Sequence, residues 1–426
     1  MRLLIRGGRV VDPSQGIDGV YDLLIEGSRI LKLEENIDTS EASQVIDVQG
    51  LVVSPGFIDL HSHLRDPGQE WKEDIETGSQ AAVSGGFTSV CCMANTEPVN
   101  DNPSVTRYII EKAEKVGLCD VFPIGAITKG LKGEELAEIG LMVKAGIVGI
   151  SDDGETPKDS KVLRNAMDYA RSLGIPVFTH SEDKSLSAGG HMNEGPLSSK
   201  LGIPGMPPEA EDIGTMRDIL IAKLTGAHIH VCHVSSKGAL KLIEEAKREG
   251  VRVTCEITPH HFTLTEEAVK DFNTNAKMCP PLRTEDHVEA CRMALKSGVA
   301  DAIATDHAPH SEDEKLVEFC RAPFGIIGFQ TALPLSLELV RKGYLTLTGL
   351  VEKLSLNPAR ILRKGDIGTL KPGSRANVTV FNPDEEFVLT KDFIKSKSFN
   401  TPFLNQKLKG KVKLTIYNGK IVFKDF

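Results

Sequence analysis

Two histidines one residue apart, His61 and His63, lie at the end of the apolar run 57–61. If that run is a strand, its period of two turns both imidazoles to one face. Asp153 follows the run 147–151, His180 ends 175–180, His233 ends 228–233 and Asp306 ends 301–306. Four imidazoles and two carboxylates suit zinc or a similar borderline divalent ion. Six ligands exceed one tetrahedral zinc, so two metals sharing a carboxylate are expected. Spacing alone leaves Asp152 and Asp153 both open as the bridge. Two divalent cations offset by Asp153, Asp306 and a bridging hydroxide leave about +1, whereas one cation leaves about −1, a poor host for an anionic substrate. A shared water acidified toward pKa ~7 could attack a polarised carbonyl, with Asp306 as general base passing the proton to a leaving nitrogen. One histidine at a strand end is more often a hydrogen-bonded structural residue, and His191, His228, His230, His260, His261, His287 and His307 are read that way. Six coincidences at strand ends need a common cause.

Such a cluster needs a scaffold that brings several strand ends together. Eight short apolar runs, 57–61, 87–93, 120–126, 147–151, 175–180, 228–233, 251–257 and 301–306, alternate with amphipathic stretches at 104–116, 133–145, 159–173, 209–225, 236–249 and 285–297. Repeated β-then-α units over this length predict an α/β chain built as a (β/α)8 TIM barrel, with its chemistry at the carboxyl ends of the strands. The two ends read differently: 2–11, 20–33, 45–53, 376–381 and 412–423 are strand-like, and Asn418-Gly419 is a hairpin signal. Neither end can fill a core alone, so both are expected to join in one small composite β-sandwich, 1–54 with 366–426, beside a barrel at 55–365. The Gly/Pro-rich stretches 189–208 and 307–328 read as functional loops. Residues 307–325 form a candidate lid, although 312–318 also reads as a solvated charged loop.

The chain has 426 residues, 40% of them apolar and 26% charged, which excludes a disordered or fibrous protein. A net charge of −9, one Trp and five Tyr argue against a nucleic-acid partner. The start lacks a signal-peptide pattern, and no window approaches ~18 uninterrupted apolar residues, so no membrane association is expected. Eight scattered Cys without a CxxC pair read as reduced thiols in a cytoplasmic protein.

Residues 56–68, GFIDLHSHLRDPG, resemble a signature of the dihydroorotases within the amidohydrolase superfamily. Residues 304–310, ATDHAPH, with Lys315 five residues on, resemble the second signature, and 93–98 (MANTEP) and 277–283 (KMCPPLR) are similar to further family segments. The resemblance covers nearly the whole chain and is nearest the longer bacterial type. It implies reversible cyclisation of N-carbamoyl-L-aspartate to dihydroorotate plus water, the third step of pyrimidine synthesis, with two zinc ions. It favours Asp153 as the bridge, where many relatives use a carboxylated Lys. It implies that Arg65, Asn95 and His310 hold the substrate carboxylate and that the backbone around Phe324 and Gly325 touches the ring. Arg65 offers a bidentate fork on the same side of the chain as His63; the plain alternative is a structural ion pair.

One position departs from the pattern. Similar bacterial enzymes place there an Asn that touches the substrate; this chain has Cys279. A thiol is a poor hydrogen-bonding group. Either water or a neighbour such as Asn275 covers the contact, or substrate binding is weakened. Rival readings are hydantoinases, dihydropyrimidinases and allantoinases, a non-catalytic scaffold, and a subunit that needs aspartate transcarbamoylase to order its loops. A homo-oligomer is also allowed.

Overall fold

The structure, a computed structural model, describes residues 2–426. Strands β1 (Arg2–Asp12), β2 (Ile17–Glu26), β3 (Arg29–Glu34), β4 (Gln44–Asp47) and β5 (Val52–Pro55) come first. Then follow β6 (Phe57–Ser62), β7 (Phe87–Cys92), β8 (Asp120–Gly125), β9 (Gly149–Ile150) and β10 (Val177–Thr179). β11 (Met192–Asn193) and β12 (Gly205–Met206) form a separate short pair. β13 (Ile229–Val231), β14 (Val253–Ile257), β15 (Ala302–Ile303), β16 (Val378–Val388), β17 (Lys407–Tyr417) and β18 (Lys420–Lys424) complete the chain.

Eight strands pair in the order β6-β7-β8-β9-β10-β13-β14-β15, all parallel, as a nearly closed barrel. Strands buried on both faces read as apolar runs rather than alternations, which is why these segments stood out. The ring is drawn shut between β6 and the end of β15. Asp59 accepts from Thr305 N at 2.9 Å, and His63 N donates to His307 O at 2.8 Å.

Helices fill the outside at the expected places: Pro103–Val116, Ile139–Ala145, Ser160–Leu173, Pro208–Thr225, Lys237–Arg248 and Glu285–Ser297. The first shows the local logic. Asn102 caps it, Pro103 opens it, Val105, Ile109 and Ala113 are buried, and Gly117 ends it at φ 65°. The helix expected from 133 begins only at Ile139. Residues 128–137 instead fold back on themselves, with Lys129 N donating to Glu135 O and Ala137 N to Ile127 O.

The terminal strands make one sheet, ordered β18-β17-β16-β5-β1-β2-β3, with β4 on β1. β5 joins the two ends: it runs parallel to β1 and antiparallel to β16, with Val53 opposite Val380. This sheet curls into a β-sandwich over a core that includes Leu23, Val53, Val380 and Leu414. Asn418 and Gly419, both at positive φ, turn β17 into β18. Residues 389–406 leave the sheet and lie against the barrel, where Ile327 N donates to Asn400 O and Ser398 Oγ to Lys72 O.

Candidate active site

The six residues singled out by spacing converge at the carboxyl ends of the barrel strands. Asp153 is the hub. Its Oδ1 lies 3.5 Å from His61 Nε2, 3.5 Å from His180 Nδ1 and 3.4 Å from His233 Nε2, and its Oδ2 lies 3.5 Å from His63 Nε2. Asp306 Oδ1 is 3.1 Å from His63 Nε2 and 3.4 Å from His61 Nε2. His61, His63 and Asp153 form one compact donor set, and Asp153, His180 and His233 another, so the two sets share Asp153. Asp152 points elsewhere, accepting from Ile127 N at 2.8 Å and Thr128 N at 3.0 Å. His233 and Asp306 are held at left-handed φ of 36° and 46°, and Arg65 at 61°. Non-glycine residues pay roughly 1–3 kcal/mol for such backbone, and such strain concentrates at functional sites.

The donor set fits a divalent cation. His61 Nε2 is buried between two carboxylates with no hydrogen-bond partner. His180 Nδ1 and His233 Nε2 face each other at 3.1 Å. Burial alone would raise the Asp153 carboxyl; the imidazoles of His61, His180 and His233 hold it well below its usual range instead. A metal supplies the same positive field. Three of the four imidazoles have their second nitrogen tied to an acceptor, which fixes tautomer and ring plane. His61 Nδ1 meets Glu256 at 3.1 Å, His63 Nδ1 meets Asn95 Oδ1 at 2.9 Å, and His180 Nε2 meets Glu182 at 3.0 Å.

The expected carboxylate clamp opens on the same cavity, of about 420 Å³, as the His/Asp cluster. Arg65, Asn95, Cys279, His310, Phe324 and Gly325 all line it; Asn275 does not. Arg65 is 8% exposed, donates Nε–H to Pro309 O at 3.2 Å and lies 3.2 Å from His310 Nε2. Among the described residues it makes no ion pair with a carboxylate, its recorded partners being Pro309 O and His310. Burial pushes His310 down to about 3, so its imidazole is neutral near pH 7. A larger cavity of about 580 Å³ lies behind Glu182 and Lys184 and is lined by none of the imidazoles.

The segment expected as a lid is stitched into the protein. Lys277 Nζ donates to Phe319 O, Cys320 O and Ala322 O, and Lys315 Nζ to Thr274 O and Pro323 O. Asn400 ties its two ends: Nδ2 donates to Ala308 O at 2.9 Å and Gly325 O at 3.0 Å, while Oδ1 accepts from His310 N at 3.0 Å. Its middle is open on the outer side, with exposed residues from Glu312 to Arg321 and Leu316 79% exposed.

Sequence reasoning missed Glu182, Glu256 and Asn400. Glu182 lies two residues beyond His180, where the period of a strand would carry it to the same face. Glu256 is a lone acid inside the run 251–257, and its two oxygens serve His61 and His230. Asn400 has no sequence signal. Three of the histidines read as structural have hydrogen-bond partners of their own, whereas His260 Nε2 and His191 Nδ1 are buried without one. His230 bonds Glu256, His261 bonds Thr258 and Pro280 O, and His307 meets Glu73 and accepts from Gly328 N.

Barrel and cluster together define an amidohydrolase-type barrel. Residues 50–239 match a family model described as dihydro-orotase-like. A dihydroorotase from Geobacter metallireducens is 53% identical over 424 residues, covering 100% of both chains. One from Trichlorobacter lovleyi is 51% identical, covering 99% of both. Among solved structures, the L-hydantoinase (dihydropyrimidinase) of Arthrobacter aurescens superposes with a TM-score of 0.88 at 25% identity, covering 99% of this chain and 96% of that one. The chain belongs to the dihydroorotase family.

Proposed function

We propose that this protein catalyses the reversible closure of N-carbamoyl-L-aspartate to (S)-dihydroorotate and water. One juxtaposition carries the reading: a buried, unpaired Arg65 with Asn95 and His310 faces the same cavity as the Asp153-centred cluster. That combination suits a small cyclic amide bearing a carboxylate. Full-length identity above 50% to two dihydroorotases supports it.

In the hydrolytic direction a water oxygen bonds to the ring carbonyl carbon and the ring C–N bond breaks. Two zinc ions per chain, held by His61, His63, Asp153, His180, His233 and Asp306, would polarise that carbonyl and supply a nucleophile at neutral pH. Asp306 takes the proton of the attacking water and delivers it to the departing nitrogen. In the closing direction the same carboxylate removes the proton from the carbamoyl nitrogen. Asp306 is suited to this because it is kept ionised: burial raises it, but His61, His63 and His233 hold it well below its usual range. Arg65 grips the carboxylate beside the ring. Asn95 spends its carbonyl on His63, so its amide NH2 remains for substrate. His310, whose Nε2 lies 2.8 Å from Phe324 O, fixes the wall that meets the ring.

Eight free cysteines support a reducing, cytoplasmic setting. The pinned 307–325 segment supports a chain that orders its own site, so equal activity alone and mixed with aspartate transcarbamoylase is expected. The test of function is turnover of dihydroorotate beside hydantoin and dihydrouracil, which have no carboxylate. A buried clamp left unpaired should disfavour them by roughly 10⁴-fold. Comparable turnover of hydantoin would overturn the reading.

A further inference from the structure

The outer nitrogen of His180 faces two more donors. Glu182 Oε2 lies 3.0 Å and Cys279 Sγ 3.8 Å from His180 Nε2, and the three atoms lie within 4.8 Å of one another. Imidazole, carboxylate and thiolate are the side chains zinc takes. Around a tetrahedral zinc, with bonds of about 2.0–2.3 Å, nitrogen and sulfur lie about 3.6 Å apart and nitrogen and oxygen about 3.4 Å. The observed spacings need only small shifts to meet this.

We propose that Cys279, His180 and Glu182 form an additional site for one thiophilic divalent cation, zinc or cadmium, on the wall of the substrate cavity. The proposal rests on the reading of His180 Nδ1 as a ligand of the Asp153-bridged pair, so that the imidazole links the two sites. Binding releases two protons to solvent, one from the Cys279 thiol and one from His180 Nε2. The dication then faces three anionic ligands. Lys184 Nζ, 3.3 Å from Glu182 Oε2, balances the remaining negative charge. A water can complete the coordination, because Cys279 and His180 line the smaller cavity, Glu182 lines the larger one and Lys184 lines both. Occupancy has a cost for catalysis: it takes away the acceptor that orients His180 and puts an ion where substrate packs. Excess zinc therefore inhibits. An asparagine at 279 offers no thiolate and cannot build this site.

The test is a cadmium titration of the metal-loaded protein in a Cys320→Ser background, since Cys320 is exposed. Wild type at 279 is compared with Cys279→Asn and Glu182→Gln. The expected result is one more tightly held ion per chain than in Cys279→Asn, with a thiolate-to-cadmium charge-transfer band that this variant lacks. Glu182→Gln should keep the band but bind roughly 10- to 100-fold more weakly. Equal uptake and no band in the Cys279 protein would overturn the proposal, as would unchanged affinity in Glu182→Gln. The resident metal count in Cys279→Asn reports separately on the Asp153-bridged pair.

Discussion

Replacing Asn400 by Ala should damage an active site that Asn400 does not line. Its side chain is 3% exposed and makes three hydrogen bonds of 2.9–3.0 Å to Ala308 O, Gly325 O and His310 N. Each buried bond contributes roughly 0.5–1.5 kcal/mol net, so the staple holds the two ends of the loop with about 1.5–4.5 kcal/mol. Lys277 and Lys315 still hold the loop from inside, which places the effect in the lower half of that range. About 1.5–3 kcal/mol corresponds to a fall in kcat/KM of roughly 13- to 160-fold. Most of it should appear in KM, because the staple holds His310 and Gly325, which line the cavity with Phe324 and are proposed to meet the substrate. Asn400→Asp keeps the bond from His310 N but sets an anion against two carbonyl oxygens, so it should fall at least as far. The assay is steady-state dihydroorotate hydrolysis with metal content measured on each sample. A kcat/KM within twofold of wild type in Asn400→Ala, or an Asp variant better than the Ala variant, would refute the positioning role.

Other outcomes are expected with it. Asp306→Asn should lower kcat by roughly 10²- to 10⁴-fold with the fold intact by circular dichroism, since the proton carrier is lost. His61→Ala should lose bound metal and activity together, measured by elemental analysis beside turnover. Cys279→Asn should lower KM or raise turnover if the thiol is a poor substrate contact; no change in either would remove it from the substrate's reach. Burial pushes Lys315 down to about 7, whereas an exposed lysine titrates near ~10.4. Between those values the open loop binds more protons than the folded one, so the folded loop gains stability as pH rises from about 7 toward 10. Hydrogen exchange over the loop, corrected for intrinsic rates, should slow relative to the open state with rising pH, and Lys315→Met should abolish that trend.

The barrel was legible because parallel strands buried on both faces leave apolar runs, and the interleaved helices carry caps and breaks such as Asn102 and Gly117. The cluster was legible because His61, His180, His233 and Asp306 end those runs and His63 and Asp153 lie two residues beyond them. Spacing could not choose between Asp152 and Asp153. The choice comes from tertiary contacts, since Asp152 is occupied by the backbone of Ile127 and Thr128. The partners of those side chains were harder. Glu256 hid as one acid in a strand, and Asn400 stands in an irregular segment that gains meaning only where it meets Ala308 and Gly325. The helix over 133–145 started late because residues 128–137 close a turn of their own, which periodicity does not register.

The central claim joins a two-metal cluster to one substrate, and a single sample can test it. Zinc content per chain is measured beside dihydroorotate turnover as a chelator strips the metal and zinc restores it. The expected result is two ions per chain at full activity, with activity falling and returning in step with them. Full turnover in the metal-free protein would contradict the claim, as would two bound ions with no turnover of dihydroorotate.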